Sequence, residues 1–431
     1  MIQTTVDTRV RIRKIAALGL AAGLLLTGCG RDNAPTTATE TGKAIAGGAA
    51  TGTINLWAQG DEAKLLPGLV KDFEAENPGV KVNVTAIPWD AAHNKYQTAI
   101  AGGTTPDIAQ MGTTWMTDFS DAFDPKPAEI DNSAFFPSSV KSTQIGGTSL
   151  GVPWFVDTRV LYYRKDLAAK AGFPEFPTTW DGLTAMAKAL KSQDGVKYGV
   201  QLPAGGSDSF QTMLPFLWSN GAQFISQDNS KWTFDTPEII EALKYYQSFF
   251  TAGLANKSPA TGAGAAEAAL VNGEAPVLIG GPSELAQLDQ AGGPGFADKY
   301  MVATFPKKVT GTSFIGGSDL VVFKDAKNRD GAWKLAQWLS KPDVQTKWQK
   351  LSGSLPALQS AWKDPSLAGN AKLAVFGEQM KDTNFPPTIP TWTQVAAAAD
   401  TQLEQIVKAG KDPAAAMKDL QATADSIGTG K

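Results

Sequence analysis

The chain has 431 residues, 42% hydrophobic and 19% charged, with a formal net charge of −3, one Cys and one His. Its length suits two or three globular lobes, since single cores stop growing near ~250–300 residues, and its near-neutral balance offers no footprint for nucleic acid. One Cys excludes a disulfide framework or a Cys-rich metal site, and one His, His93, excludes a His-Glu-x-x-His zinc site.

At the N-terminus, Arg9, Arg11, Arg13 and Lys14 precede twelve residues, Ile15 to Leu26, without a charged or polar side chain. That run fits the apolar stretch of a signal peptide and falls short of the ~20 residues of a spanning helix. It closes on Leu26-Thr27-Gly28-Cys29, which resembles a bacterial lipobox. Residues 1–28 are therefore expected to be a lipoprotein signal peptide, with Cys29 the lipidated residue. An ordinary secretory peptide ending near a Cys is the alternative. Residues 29–52 are rich in Ala, Gly and Thr, lack the large apolar groups of a core, and read as a flexible tether.

The fold is expected to begin near Thr53. Thr53-Ile54-Asn55-Leu56-Trp57 alternates as a strand does. Leu65, Leu69 and Phe73 recur at helical spacing, and Asn77-Pro78-Gly79 stops that helix. Val80, Val82 and Val84 mark a second strand. A helical stretch around Tyr96 and Ile100 ends at Gly102-Gly103, and a short strand follows from Asp107 to Met111. This order predicts an α/β lobe with a largely parallel sheet. The rhythm restarts with Gly151-Val152-Pro153-Trp154 and Leu161-Tyr162-Tyr163, strands flanking a crossing. Thr178-Thr179-Trp180-Asp181 is a capping box for a helix to about Leu190. Thr236-Pro237 opens another, with Ile239, Leu243, Tyr246 and Phe250 on one face. Val277-Leu278-Ile279 and Leu320-Val321-Val322-Phe323 read as buried strands, and from Asp330 to Lys431 the chain is predicted to be mainly helical.

Three carboxylates stand where open α/β sheets place ligands, past the carboxyl ends of strands: Asp61, Glu62 and Asp157. Such groups can do acid–base work, accept hydrogen bonds from sugar hydroxyls, or simply cap helices and meet solvent. Twelve Trp residues are many for this length, and Trp115, Trp154, Trp218 and Trp392 lie in turn-like or polar settings. Their flat rings suit either sugar faces or a core. Trp392 follows Pro386-Pro387-Thr388-Ile389-Pro390 and is expected to be presented from a loop. His93, beside Asn94 and Lys95, reads as a solvated surface residue.

A wider pattern runs through these segments. It comprises Ile54-Asn55-Leu56-Trp57 leading to Asp61-Glu62, Gly103-Thr104-Thr105-Pro106-Asp107-Ile108, and Gly151 to Asp157 followed by Leu161-Tyr162-Tyr163-Arg164. Phe176-Pro177-Thr178-Thr179-Trp180-Asp181, Asn272-Gly273-Glu274-Ala275 and Ile315-Gly316-Gly317 continue it. In order and spacing it resembles the extracellular solute-binding proteins, family 1, of bacterial ABC sugar importers, the maltose/trehalose type. The resemblance implies an α/β, two-lobed periplasmic-binding-protein fold (type II) with lobes joined by hinge strands. It would place 53–157 in lobe I, 158–279 in lobe II, 280–340 back in lobe I, and 341–431 in a helical part mainly on lobe II. It implies a monomeric, non-enzymatic receptor with no cofactor or metal, lipid-anchored at the extracytoplasmic face of the bacterial cell membrane. Such a receptor would take a small saccharide, a disaccharide or α-glucoside, and pass it to the transmembrane subunits of a permease.

Carried over by position, Asp61, Glu62, Thr113, Asp157, Gln211, Ser283, Gly317 and Trp392 approach the ligand. Trp115, Trp154 and Trp218 are further stacking candidates, while Asp107 serves the start of its strand. Gly281-Pro282-Ser283 lacks the aromatic that many members carry there, which favours a small saccharide over a long maltodextrin. Two other functions stay open. One is a secreted glycoside hydrolase working through the carboxylates. The other is a receptor for a non-sugar such as a glycerophosphodiester, although no Arg or Lys pair stands at the expected loops.

Overall fold

The computed structural model describes residues 42–60, 62–206, 208–260, 262 and 264–430. Alternation builds the first sheet: β1 (Gly52–Gln59) buries Ile54, Leu56 and Ala58 and pairs in parallel with β2 (Val80–Ile87) and β3 (Ile108–Gly112). Between β1 and β2, the helix Glu62–Glu76 turns Ala63, Leu66, Leu69, Val70 and Phe73 onto the sheet. Asn77 closes that helix, its Nδ2 donating to the Phe73 carbonyl at 2.9 Å and its Oδ1 accepting from Ala50 N at 2.9 Å. After a small hairpin of Gln144–Ile145 and Thr148–Ser149, the strands of the two main sheets are β4 (Val152–Thr158), β5 (Val160–Arg164), β6 (Val277–Gly280), β7 (Tyr300–Ala303), β8 (Ser313–Val322), β9 (Leu355–Pro356) and β10 (Thr383–Asn384).

Lobe I carries the sheet β9-β4-β8-β3-β1-β2, with β10 also on β8, and lobe II the antiparallel sheet β6-β5-β7. Because β8 is antiparallel to both β3 and β4, those two strands run the same way. Their carboxyl ends, Gly112 and Thr158, therefore reach the same edge of lobe I. The chain crosses to lobe II at that edge, between Thr158 and Val160, and returns there at Ser313. The two crossings are clamped: Thr158 Oγ1 donates to the Phe314 carbonyl at 2.6 Å, and Ser313 Oγ to the Arg159 carbonyl at 2.7 Å.

Several expectations shift in the structure. The return to lobe I comes at Ser313, not at 280, since β6 and β7 both pair with β5. The helices Arg329–Leu339 and Pro342–Ser352 pack Trp333, Trp338 and Trp348 into the core of lobe I. Ala371–Gln379, Trp392–Lys408 and Pro413–Ile427 lie with lobe II, the first setting Phe376 against Tyr162 at 6.3 Å and Lys372 Nζ 3.5 Å from the Tyr300 ring, so most of the expected helical part on lobe II is there. Burial explains the division, because each helix goes where its apolar face finds a partner. The capping box appears as Thr179 Oγ1 accepting from Gly182 N at 3.2 Å. Residues 42–52, expected to be free tether, lie on lobe I instead. Gly42 N donates to the Lys126 carbonyl at 3.1 Å, Arg329 Nη2 to the Lys43 carbonyl at 2.7 Å, and Ala50 is buried. The expected signal peptide and the expected lipidation site, Cys29, fall outside the described residues. Among the described residues no helix is long and apolar enough to cross a membrane.

Candidate ligand-binding site

The edge of lobe I that carries the crossings also carries the segments following β1, β2 and β3. Gly60, after β1, adopts φ +63, and a Cβ there would stand 2.4 Å from Trp89 Nε1 and 2.9 Å from Glu62 Oε2. A glycine is required for this close approach. Trp89 opens the helix Trp89–Ala101 directly after β2 and leaves 40% of its surface exposed. Thr113 and Trp115 form one tight turn after β3, and the Trp115 ring meets Trp89 edge-on at 5.6 Å. His93 stands 5.4 Å from Trp115 and holds Asp118 Oδ2 through Nε2 at 2.9 Å. The result is an aromatic shelf with carboxylates beside it.

A buried polar network fixes the shelf from below. Gln59 N donates to Gln110 Oε1 at 3.0 Å, Gln59 Nε2 to Tyr96 OH at 2.6 Å, and Tyr96 OH to the Gln110 carbonyl at 2.8 Å. Gln110 Nε2 reaches Ser318 Oγ at 3.0 Å, tying β3 to β8. Burial pushes the Tyr96 phenol well up, so it stays a neutral donor.

At the crossing, Asp157 Oδ2 pairs with Arg159 Nη1, whose guanidinium lies over the Phe314 ring at 5.4 Å. Asp157 Oδ1 is buried and has no hydrogen-bond partner among the described residues. A Cβ on Gly281 would come within 2.6 Å of Arg159 and 2.7 Å of Asp157, so the bare backbone there lets β6 approach the ion pair. Tyr162 OH holds the Gly281 carbonyl at 2.5 Å. Next to this point lobe II contains a cavity of about 700 Å³, whose lining includes Gln201, Thr212, Glu267, Ile279 and Glu284. Burial, first, and the adjacent Glu267 carboxyl push Glu284 up to about 7.

The residues singled out from sequence divide clearly. Glu62, Thr113 and Trp115 converge on the shelf, and Asp157 lies at the crossing. Asp61 falls outside the described residues. Ser283 is exposed at the start of the helix Ser283–Gly292, beside Glu284. Gln211 is half-buried in the first turn of Ser209–Ser219, next to the cavity-lining Thr212. Gly317 has φ +125, and a Cβ would sit 2.2 Å from the Phe155 carbonyl oxygen. Its glycine is thus a requirement of hinge packing. Three tryptophans are corrections. Trp154 is 1% exposed and stacks on Trp348 at 5.0 Å. Trp218, 4% exposed, packs on Phe224 at 5.8 Å. Trp392, also 4% exposed, is the first residue of a helix rather than part of a loop, and lies against Phe224 and Trp232. Their rings have neighbours on the inside, so none offers a face to a ligand.

Trp89, Glu267 and Glu284 were not found from sequence, and His93, read as a solvated surface residue, stands at the shelf. Pro88-Trp89 directly after the alternating strand was the same signal that marked Asp61. Glu267 and Glu284 meet only through the fold.

Comparison with known proteins agrees with this architecture. The family model described as bacterial extracellular solute-binding protein matches residues 57–346. The sugar-binding protein MalE of Xanthomonas citri is 30% identical, with a TM-score of 0.82 over 87% of this chain and 97% of that one. A putative binding protein of Brucella abortus is 29% identical over 89% of this chain and 95% of its own length. The diacetylchitobiose binding protein DasA of Streptomyces coelicolor is 26% identical over 94% and 96%.

Proposed function

Because the chain belongs to the bacterial extracellular solute-binding protein family, whose relatives are receptors rather than enzymes, we propose that it captures a small saccharide, a disaccharide or α-glucoside, between its lobes. The glycoside-hydrolase alternative falls away with that membership. The observation that carries the reading is the shelf of exposed Trp89 and half-buried Trp115, set at the edge where the chain crosses to lobe II. Flat apolar rings complement the C–H faces of sugars, and the flanking carboxyl groups can accept from hydroxyls. The names of the relatives, sugar-binding MalE and diacetylchitobiose-binding DasA, support a carbohydrate. Delivery to the transmembrane subunits of an importer, and a lipid anchor on Cys29, complete the proposal.

The test is a thermal-shift screen over mono- and disaccharides, followed by small-angle scattering. A ligand at 100 times its Kd adds about 2.7 kcal/mol of stability. A ligand that touches both lobes favours the closed state by its differential affinity, so the binder should also compact the protein. No stabilisation by any saccharide would overturn the reading.

A further inference from the structure

We infer that Glu267 and Glu284 form the polar end of the ligand pocket as a pair sharing one proton, so that one carboxyl donates to a saccharide hydroxyl while the other accepts, and capture requires that proton. This rests on the saccharide reading above and adds the residues that set its polar recognition. Glu267 comes from the helix Ala265–Val271 and is 7% exposed; Glu284 comes from the helix Ser283–Gly292; both line the same cavity. Gly280 makes the meeting possible. A Cβ there would stand 2.3 Å from Glu284 Cγ, so only a bare strand end lets that stem lie across β6.

Among the described residues, the cations near the pair are engaged elsewhere. Asp157 and Arg159 face it from the end of β4, but Arg159 is already paired with Asp157. The Tyr162 phenol, also facing it, is held neutral by burial and donates to the Gly281 carbonyl. On the cavity's further wall, Lys197 Nζ is engaged by Glu274 Oε1 at 2.8 Å. Two carboxylates in one partly desolvated site cannot both ionise cheaply, and keeping one proton removes the repulsion. A carboxyl–carboxylate pair presents donor and acceptor together, which matches a sugar hydroxyl's own donor and acceptor. The rise of Glu284 to about 7 agrees with this arrangement.

Calorimetry across pH, with the saccharide taken from the screen, tests the inference on wild type and Glu284→Gln. If binding needs the proton and the site titrates near 7, wild-type affinity falls about 30-fold from pH 6 to pH 8.5. Glu284→Gln carries a permanent donor and acceptor, so its profile should be flat and its affinity at pH 8.5 above wild type's. A ligand-free measurement accompanies it. The folded value of Glu284 lies above the unfolded 4.5, so the stability it contributes is full below the unfolded value and is lost as pH rises through about 7. That loss should be present in wild-type melting temperatures and absent in Glu284→Gln. Saccharide binding with identical pH profiles in both proteins would refute the pair and leave the saccharide reading standing. Failure of every saccharide to bind at any pH would take down both.

Discussion

Replacing Trp89 by Ala removes the exposed face of the shelf together with its edge-on contact to Trp115 and its close approach to Gly60. Aromatic side chains bury about 150–250 Å² when fully covered. With 40% of Trp89 exposed, a sugar ring laid on it would cover roughly 60–100 Å², or about 1.5–2.5 kcal/mol at ~25 cal/mol per Å². Binding should therefore weaken about 10- to 70-fold. Calorimetry measures this directly, and a circular-dichroism melt checks that the fold survives. Trp154→Ala is the contrasting control. That ring is 1% exposed against Trp348, so its loss should cost about 3–5 kcal/mol of stability. Wild-type affinity in a well-folded Trp89→Ala protein would refute the shelf. A Trp154→Ala protein that melts normally but loses ligand would refute the division of tryptophans between shelf and core.

Gly317→Ala should lower the melting temperature, since an L side chain at φ +125 costs about 1–3 kcal/mol and its Cβ would collide with the Phe155 carbonyl; an unchanged melt would contradict the hinge geometry. Asp107→Asn should cost about 2–3 kcal/mol in urea unfolding, because Asp107 accepts from Asn55 N, Asn55 Nδ2 and Asn328 N, and an amide turns a donor toward one of them. Cys29→Ser should leave the protein in the medium or its signal uncut when cells are fractionated, and membrane retention of a processed variant would end the anchor proposal.

The β1–β3 half of lobe I was legible because its signals are local: alternating Val80, Val82 and Val84, helical spacing of Leu65, Leu69 and Phe73, and a stop at Asn77. β8 was only half legible. Ser313-Phe314-Ile315-Gly316-Gly317-Ser318 has too many small and polar residues to announce a strand, and its pairing with β4 creates one. Ring direction was not legible either. Trp115 and Trp392 look alike in sequence, but Trp392 turns inward because Phe224 and Trp232, far away in the chain, wait for it. The carboxyl pair is the extreme case, since nothing near Glu267 or Glu284 refers to the other.

The position of β8 has a consequence for how the chain comes together. It is the strand between β3 and β4, so a chain that ends before Ser313 holds two halves of a sheet with their inner edges bare. Asp107 likewise waits for Asn328 before its carboxylate is satisfied. Contacts of such wide sequence separation make for slow assembly, and open strand edges invite pairing with other chains. Lobe I thus cannot finish while the polypeptide is still growing through its first three hundred residues. A layout of this kind leaves lobe I with open strand edges until the segment beginning at Ser313 is available to fill them.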